Sequence, residues 1–256
     1  MSYFKFDNKK VFYKQIGKGE PLILLHGNTA SSKMFNSIVN EYSKDFQLIL
    51  LDFPGHGKSE RLDQFDLDFW FYNAKVCAAL IDELNYDKVT LVGSSGGALV
   101  AINVGLICPN KINYIIADSF GGDCPLNSYI DSLQEERNNG KKKIFTRLFW
   151  FHNHGWDWEK IVDLDTQVNI EFAKTGKSFF RKSIADLTVP ALFTGSFKDE
   201  YFDSLKEIYE KLKEQNPLIS IYMFQDGGHP AILSNKKDFL KLIKYKLKKI
   251  KKIVNY

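Results

Sequence analysis

The sequence contains little cysteine and no long apolar run. Its three cysteines, Cys77, Cys108 and Cys124, are an odd number with no CxxC spacing, which argues against a disulfide framework or a zinc site. No segment approaches the roughly 20 consecutive apolar residues that a membrane-spanning helix needs. The first ten residues also lack the apolar region of a secretory signal. We therefore expect a cytoplasmic protein with no stable membrane association.

The sequence also lacks the glycine-rich motifs that bind nucleotides, because neither a Walker-type loop nor a dinucleotide fingerprint occurs. The net charge is +4, but residues 236–252 hold nine lysines and a single acid, Asp238, so the rest of the chain is net acidic. Apolar residues recur there at helical spacing, namely Phe239, Leu240, Ile243, Leu247, Ile250 and Val254. This pattern predicts an amphipathic terminal helix packed on the core. Binding to a membrane surface or to nucleic acid is the alternative, and we expect no nucleic-acid partner.

Short apolar runs alternate with helical patterns along most of the chain. This alternation indicates an α/β protein with a mostly parallel sheet. An opening hairpin is predicted around Asp7-Asn8. The predicted strands cover residues 3–7, 10–16, 21–25, 46–51, 89–92, 112–117, 189–194 and 219–224. The clearest predicted helices cover residues 67–84, 98–107 and 205–212.

The alternation is interrupted between residues 122 and 185, where helical patterns occur without a convincing strand. The simplest interpretation is a helical insertion, residues 122–185, in a core formed by residues 1–121 and 186–256. The insertion is rich in aromatic residues, which are Phe145, Phe149, Trp150, Phe151, Trp156, Trp158, Phe172, Phe179 and Phe180. These rings either line a pocket for an apolar group or pack the inserted helices on the core.

The segment Gly93-Ser94-Ser95-Gly96-Gly97 matches the pattern GxSxG. A predicted strand precedes it and a predicted helix follows, which is the context that this motif requires. At such a turn the serine adopts a strained backbone that holds its hydroxyl clear of the sheet. The spacing therefore predicts Ser95, and not Ser94, as a nucleophile. The alternative is a tight structural turn.

A serine nucleophile needs a base within hydrogen-bonding distance. Among the five histidines, His229 directly follows the last predicted strand, which places it at the same sheet edge as Ser95. His152 and His154 are two residues apart, so on a helix they point in different directions, and no third ligand accompanies them. We therefore predict His229 as the base and expect no metal.

The base in turn needs a carboxylate that fixes its tautomer. Asp199 follows the predicted strand that ends near Thr194, so it too lies past a carboxyl strand end. Glu200 and Asp118 are rivals for this role. Asp226 is close to His229 in sequence and is interpreted as a turn residue.

The oxyanion formed by nucleophilic attack needs hydrogen-bond donors. The Gly96 backbone N–H, directly after the nucleophile, is one candidate. The second is predicted in the loop after the first parallel strand, with the Asn28 N–H as first choice and that of Thr29 as second. His26 in this loop is interpreted as a structural histidine bonded to nearby backbone.

The chain resembles the α/β-hydrolase superfamily, in its branch of small proteins with a helical cap. The resemblance is carried by His26-Gly27-Asn28, Asp52-Phe53-Pro54-Gly55-His56-Gly57-Lys58-Ser59, residues 93–97, residues 195–199 and Gly228-His229. It implies the α/β-hydrolase fold, with helices on both faces of the sheet and a cap insertion over the active site. It also implies a hydrolase with the triad Ser95, Asp199 and His229 that needs no cofactor, and it gives His56 no chemical role.

We expect hydrolysis of a small carboxylic ester through an acyl-enzyme. The same residues would serve a carbon–carbon bond hydrolase, a thioesterase or an aminopeptidase. An aminopeptidase would need cap carboxylates, for which Glu135, Glu136 and Glu171 are available. From another class, a non-catalytic module that binds a small ligand on the same scaffold is a further alternative.

Overall fold

An eight-stranded sheet runs through the centre of the protein. The computed structural model describes residues 2–254, with side chains described as far as residue 249. The strands are β1 (Ser2–Phe6), β2 (Lys9–Ile16), β3 (Glu20–Leu25), β4 (Phe46–Leu51), β5 (Val89–Ser94), β6 (Ile112–Asp118), β7 (Ala191–Ser196) and β8 (Ile219–Phe224). Their spatial order is β1-β2-β4-β3-β5-β6-β7-β8.

The first two strands form an antiparallel hairpin, and β2 pairs antiparallel with β4. Every later pairing, from β4 through β8, is parallel. The predicted α/β class with a mostly parallel sheet is therefore confirmed. Every residue of β5 and β7 is buried, as expected for parallel strands covered on both faces.

Helices cover both faces of the sheet. The helices are α1 (Asn36–Tyr42), α2 (Phe69–Glu83), α3 (Gly96–Ile107), α4 (Asn127–Gly140), α5 (Ile144–His154), α6 (Trp158–Lys174), α7 (Leu205–Gln215), α8 (Ala231–Ser234) and α9 (Lys236–Val254). Residues of α2, α3 and α7 belong to one apolar cluster, and residues of α1, α8 and α9 belong to the cluster on the opposite face.

Helix α9 is the lysine-rich segment predicted from the sequence. Phe239, Ile243 and Leu247 are buried against the core, whereas most of its described lysines are exposed. Packing of this helix on the core is therefore confirmed. The side chains of Ile250 and Val254, which belong to the predicted apolar stripe, lie outside the described residues. No helix within residues 2–254 combines the length and the apolar character needed to cross a membrane.

The chain between β6 and β7 passes through α4, α5 and α6 and contains no strand among these described residues. This agrees with the helical pattern predicted there. The division of the chain at residues 122 and 185 stays a prediction. Because the parallel strands share one direction, the loops that follow them gather at one edge of the sheet, and these loops contain all the predicted site residues.

Asp118, at the end of β6, ties three segments together at this edge. Its carboxylate accepts hydrogen bonds from the Thr194 hydroxyl at 2.8 Å and from the Ile232 N–H at 2.9 Å. The Ser119 hydroxyl lies 3.3 Å from the same group. The side chain is completely buried, and burial raises the pKa of Asp118 to about 7. Asp118 therefore joins β6, β7 and α8, and it carries a proton below neutral pH.

The raised pKa of Asp118 predicts a pH-dependent contribution to stability. An acid whose pKa is raised by folding stabilises the protein most below its ordinary pKa of 3.8, and this contribution is lost as the pH rises through about 7. The quantity to follow is the difference in the free energy of unfolding between the wild type and Asp118→Asn. We expect this difference to fall by about 4 kcal/mol as the pH rises from about 4 to about 8. Urea unfolding at several pH values measures this difference, and a constant difference would contradict the assignment.

Candidate active site

Ser95 occupies the turn between β5 and α3 with a backbone that few residues other than glycine adopt. Its φ is 54° and its ψ is −121°. The strained turn is held on both sides, because the Ser95 N–H donates to the Asp118 carbonyl at 2.7 Å and its own carbonyl accepts from the Ala98 N–H at 2.8 Å. Such strain persists only where surrounding bonds enforce it. The turn predicted from GxSxG is thus present, with Ser95 at its strained position.

Glycine is required at this turn because the backbones of β3, β5 and α3 nearly touch. A Cβ atom added to Gly93 would overlap the carbonyl of Gly97, and one added to Gly97 would overlap the carbonyl of Leu25. A Cβ on Gly27 would lie 3.1 Å from the Ser95 Cβ. These glycines allow the loop after β3 to lie directly beside the serine.

His229 is held by two acidic side chains that follow β7. Its Nδ1 lies 2.9 Å from Oδ2 of Asp199, and its backbone N–H donates to Oε2 of Glu200 at 2.8 Å. Asp199 also accepts from the Tyr201 N–H at 3.0 Å. The Asp199 side chain is fully buried, whereas 12% of the His229 side chain is exposed. With Nδ1 engaged by Asp199, Nε2 is the ring nitrogen left to exchange a proton with a reactant.

The rival carboxylates do not reach the His229 ring. Asp118 bonds to Thr194 and Ile232, as described above, and Glu200 binds the His229 backbone rather than its ring. Asp226 is exposed and pairs with Lys198 at 2.5 Å. Of the carboxylates considered from the sequence, the structure brings Asp199 to the imidazole.

Ser95 and His229 line one cavity of about 260 Å³, together with Gly27, Asn28 and side chains from α4 and α5. No direct hydrogen bond joins the Ser95 hydroxyl to the His229 ring in the described part of the chain. Catalytic hydrogen bonds are often long in unliganded enzymes and tighten when substrate binds. A smaller cavity of about 50 Å³ also borders Ser95 and is lined mainly by apolar side chains of α2, α3 and the segment after β6.

Two backbone N–H groups close to Ser95 have no acceptor among the described residues. Within residues 2–254, the N–H groups of Asn28 and Gly96 donate no hydrogen bond to the protein. The Thr29 N–H, by contrast, donates to Oδ2 of Asp165 at 3.1 Å. Of the two donors considered in this loop, only that of Asn28 is left for an oxyanion.

Helix α6 holds this loop through two residues that sequence reasoning missed. Asp165 accepts the Thr29 N–H, and Oδ1 of Asn169 accepts the Asn28 side-chain amide at 3.1 Å. Asp165 is fully buried and Asn169 nearly so. The two lie four residues apart and therefore share one helix face. A polar pair on an otherwise apolar face was the signal available in the sequence.

Three of the remaining four histidines bond to the protein backbone, whereas the His152 ring contacts the Asn36 side chain at 3.3 Å. His26 accepts the Phe53 N–H at 3.1 Å, and burial lowers its pKa to about 4. His154 accepts the Gly57 N–H at 3.2 Å and donates to the Thr29 carbonyl at 3.0 Å. His56 is buried, whereas His152 lies at the surface. Within residues 2–254, no three His, Cys, Asp or Glu side chains are arranged to hold a metal ion.

Arg137 of α4 is a third buried residue that the sequence did not single out. It lines the larger cavity, although only 7% of the residue is exposed. Its guanidinium lies 3.4 Å from Oε1 of Glu136 and 3.4 Å from the Tyr129 hydroxyl, and its Nε has no partner in the described structure. The cavity therefore contains a cation and an acid that already contact each other.

The aromatic residues of the helical segment divide into three groups. Trp158, Phe172 and Phe180 are buried and pack the helices. Phe149 and Trp150 line the larger cavity, and Phe179 lines the smaller one. The third group is exposed and consists of Phe145, Phe151 and Trp156. Each of the two roles predicted for these rings, packing and pocket lining, thus applies to some of them. Neither role accounts for the exposed rings.

The chain is similar in sequence to several curated proteins. The chain is 34% identical over 108 residues to an (E)-2-((N-methylformamido)methylene)succinate hydrolase of Acinetobacter baylyi, covering 41% of this chain and 40% of that protein. It is 30% identical over 119 residues to a 2-hydroxy-6-oxo-6-phenylhexa-2,4-dienoate hydrolase of Burkholderia cepacia, covering 45% of this chain and 41% of the relative. The chain thus spans about two fifths of the length of these curated relatives.

A solved structure gives the same fold over nearly the whole chain. A thermophilic esterase from Thermogutta terrifontis superposes with a TM-score of 0.71 at 19% sequence identity, covering 94% of each chain. The family model described as alpha/beta hydrolase fold matches residues 20–171, which is more than half of the sequence. The chain therefore belongs to the α/β-hydrolase family, as the resemblance of its motifs indicated.

Proposed function

We propose that the protein is a serine hydrolase that cleaves a small carboxylic ester through an acyl-enzyme intermediate. The observation that supports this most directly is the pairing of Asp199 with His229 at 2.9 Å, because His229 lines the same cavity as the strained Ser95. These are the groups that nucleophilic catalysis by serine requires. The hydrolase names of the relatives are consistent with this activity.

In this proposal the Ser95 hydroxyl attacks the ester carbonyl while Nε2 of His229 accepts its proton. The free N–H groups of Asn28 and Gly96 stabilise the oxyanion. His229 then donates the proton to the leaving alcohol and next activates a water molecule for deacylation. Asp199 keeps the proton on Nδ1 and stabilises the imidazolium that forms. No cofactor takes part in these steps.

We further propose that residues 122–185 act as a cap on a core of residues 1–121 and 186–256. The cap positions the loop that carries the Asn28 donor, because Asp165 and Asn169 bond to this loop. Asn153 adds a bond to the Ser31 N–H at 2.9 Å. Loss of these contacts would leave the loop free to move, so the cap would influence the chemical step as well as the pocket.

Glu136 is the residue that bears on the aminopeptidase alternative. Of the three cap carboxylates considered from the sequence, Glu136 lines the larger cavity. It already accepts from the Tyr201 hydroxyl at 3.1 Å and contacts Arg137. Because its charge is compensated in this way, it is poorly suited to hold a substrate ammonium group. We therefore propose an ester, and not a peptide with a free amino group, as the substrate. Activity measured on ester, thioester, amide and carbon–carbon substrates tests this preference directly.

Replacing Ser95 tests the nucleophile. Ser95→Ala should lower kcat for p-nitrophenyl butyrate by several orders of magnitude, on the order of 10⁶-fold where a triad serine is removed. It should also abolish labelling by a fluorophosphonate probe. Ser94→Ala is the matched control, because the neighbouring Ser94 hydroxyl is buried without a hydrogen-bond partner in the described structure. Wild-type turnover by Ser95→Ala would refute the assignment. Absence of probe labelling in the wild type would favour a ligand-binding module.

Replacing the acid tests its assignment separately. Asp199→Asn should lower kcat by about 10⁴-fold, because an amide favours the wrong tautomer of His229. Asp118→Asn should retain activity when assayed on folded protein, since the Asp118 carboxylate bonds to Thr194 and Ile232 and not to the His229 ring. If Asp118→Asn lost activity and Asp199→Asn did not, the acid would be misassigned.

Removing one cap contact tests the role of α6. Asn169→Ala should lower kcat by roughly tenfold and leave KM for a short ester nearly unchanged, because it affects a donor used mainly in the transition state. Gln167→Ala, on the exposed face of the same helix, is the control and should behave as the wild type. An unchanged kcat for Asn169→Ala, measured beside its melting temperature, would contradict the positioning role.

A further inference from the structure

Helix α5 and the turn after it expose a set of large apolar side chains that the proposed chemistry does not use. We call this set the α5 face, and its members are Ile144, Phe145, Leu148, Phe151 and Trp156. Trp156 is 91% exposed and Phe145 is 84% exposed. Phe151 and Trp156 contact each other edge to face, with ring centroids 4.9 Å apart. Contiguous exposed apolar surface of this kind usually marks an interaction site.

Basic residues accompany the α5 face. Lys141, Lys142 and Lys143 directly precede the helix, Arg147 lies within it, and no acidic residue occurs between positions 141 and 156. Lys141 pairs with Asp163 of α6. The other three have no acidic partner in the described part of the chain. Lys143 lines a surface pocket that also contains Glu135 and Glu136, whereas Lys142 and Arg147 are exposed. The segment therefore combines exposed aromatic rings with a local excess of positive charge.

We propose that the α5 face docks on an anionic lipid bilayer. A helix with exposed Trp, Phe and Leu side chains and flanking lysines suits the interface, where rings enter the headgroup region and lysines pair with acidic lipids. A second copy of the same face would fit less well, because a symmetric contact would bring two clusters of like charge together. Charge complementarity thus favours lipid over self-association.

The position of α5 relative to the cavity gives this docking a consequence. Thr146, Phe149 and Trp150 of the same helix line the cavity that contains Ser95 and His229. A molecule docked through α5 therefore holds its cavity close to the bilayer. If the proposed esterase function is correct, the substrates would include esters whose acyl chain resides in the membrane.

The other basic helix does not offer a comparable surface. Helix α9 has more lysines, but the apolar stripe among its described side chains faces the core. Tyr245 is its exposed aromatic residue, at 59%. The α5 face is therefore a different location for membrane contact from the lysine-rich α9, which was the candidate in the sequence.

Vesicle flotation tests the docking without reference to activity. The purified protein is mixed with vesicles of phosphatidylcholine alone, or of phosphatidylcholine with phosphatidylserine, at low and high salt. We expect binding to the anionic vesicles that weakens with salt. We expect two double variants to bind at least roughly tenfold more weakly than the wild type. One combines Phe145→Ser with Trp156→Ser, and the other combines Lys142→Gln with Lys143→Gln. Tyr245→Ser is the matched control and should bind as the wild type.

The outcomes separate the docking from the proposed function. The docking would be overturned if the wild type did not bind anionic vesicles. It would also be overturned if Phe145→Ser with Trp156→Ser bound them as tightly as the wild type. A dimer in light scattering that Phe145→Ser with Trp156→Ser dissociates, without vesicle binding, would assign the face to a second copy instead. The same variant should hydrolyse soluble p-nitrophenyl acetate at the wild-type rate, because Phe145 and Trp156 do not line the cavity. Absence of hydrolysis in the wild type would affect only the esterase proposal.

Discussion

The left-handed backbone of Ser95 is the constraint on which the geometry of the site depends. It requires β5 to end and α3 to begin within a few residues, and this crossing is so close that side chains at Gly93 or Gly97 would overlap backbone. The close approach also places the loop after β3 beside the serine. The strain is maintained by the buried sheet, whose parallel strands direct the loops that carry His229 and Asp199 to the same edge.

The donor side of the site depends on a different part of the chain. The loop with Asn28 is held by buried polar groups of α5 and α6, of which Asp165 and Asn169 are the most direct. Burying such groups is unfavourable unless each finds a partner, so the network specifies one position of these two helices against the loop. In the proposed mechanism, a helical segment far along the sequence therefore helps to set the oxyanion donors.

Helix α5 of this segment also connects the proposed membrane docking with the cavity. One side of α5 borders the cavity, while its other side carries the exposed rings and basic residues. A single helix would thereby link the surface that docks to the pocket that reacts. The lysine-rich α9, which dominates the charge of the sequence, instead uses its apolar stripe to close the core.

The sequence by itself determined the α/β class, the order of the strands and helices, and the residues that the structure gathers at one sheet edge. It could do so because strand periodicity and the GxSxG turn are local patterns. Only the tertiary structure decided that Asp199, and not Asp118, reaches His229. It also decided that the Thr29 N–H donates to Asp165, whereas the Asn28 N–H has no acceptor in the described structure. It also decided which aromatic rings are buried and which are exposed. Asp199 and His229 lie 30 residues apart in the sequence, and Thr29 and Asp165 lie 136 residues apart. No local pattern records contacts between residues so distant.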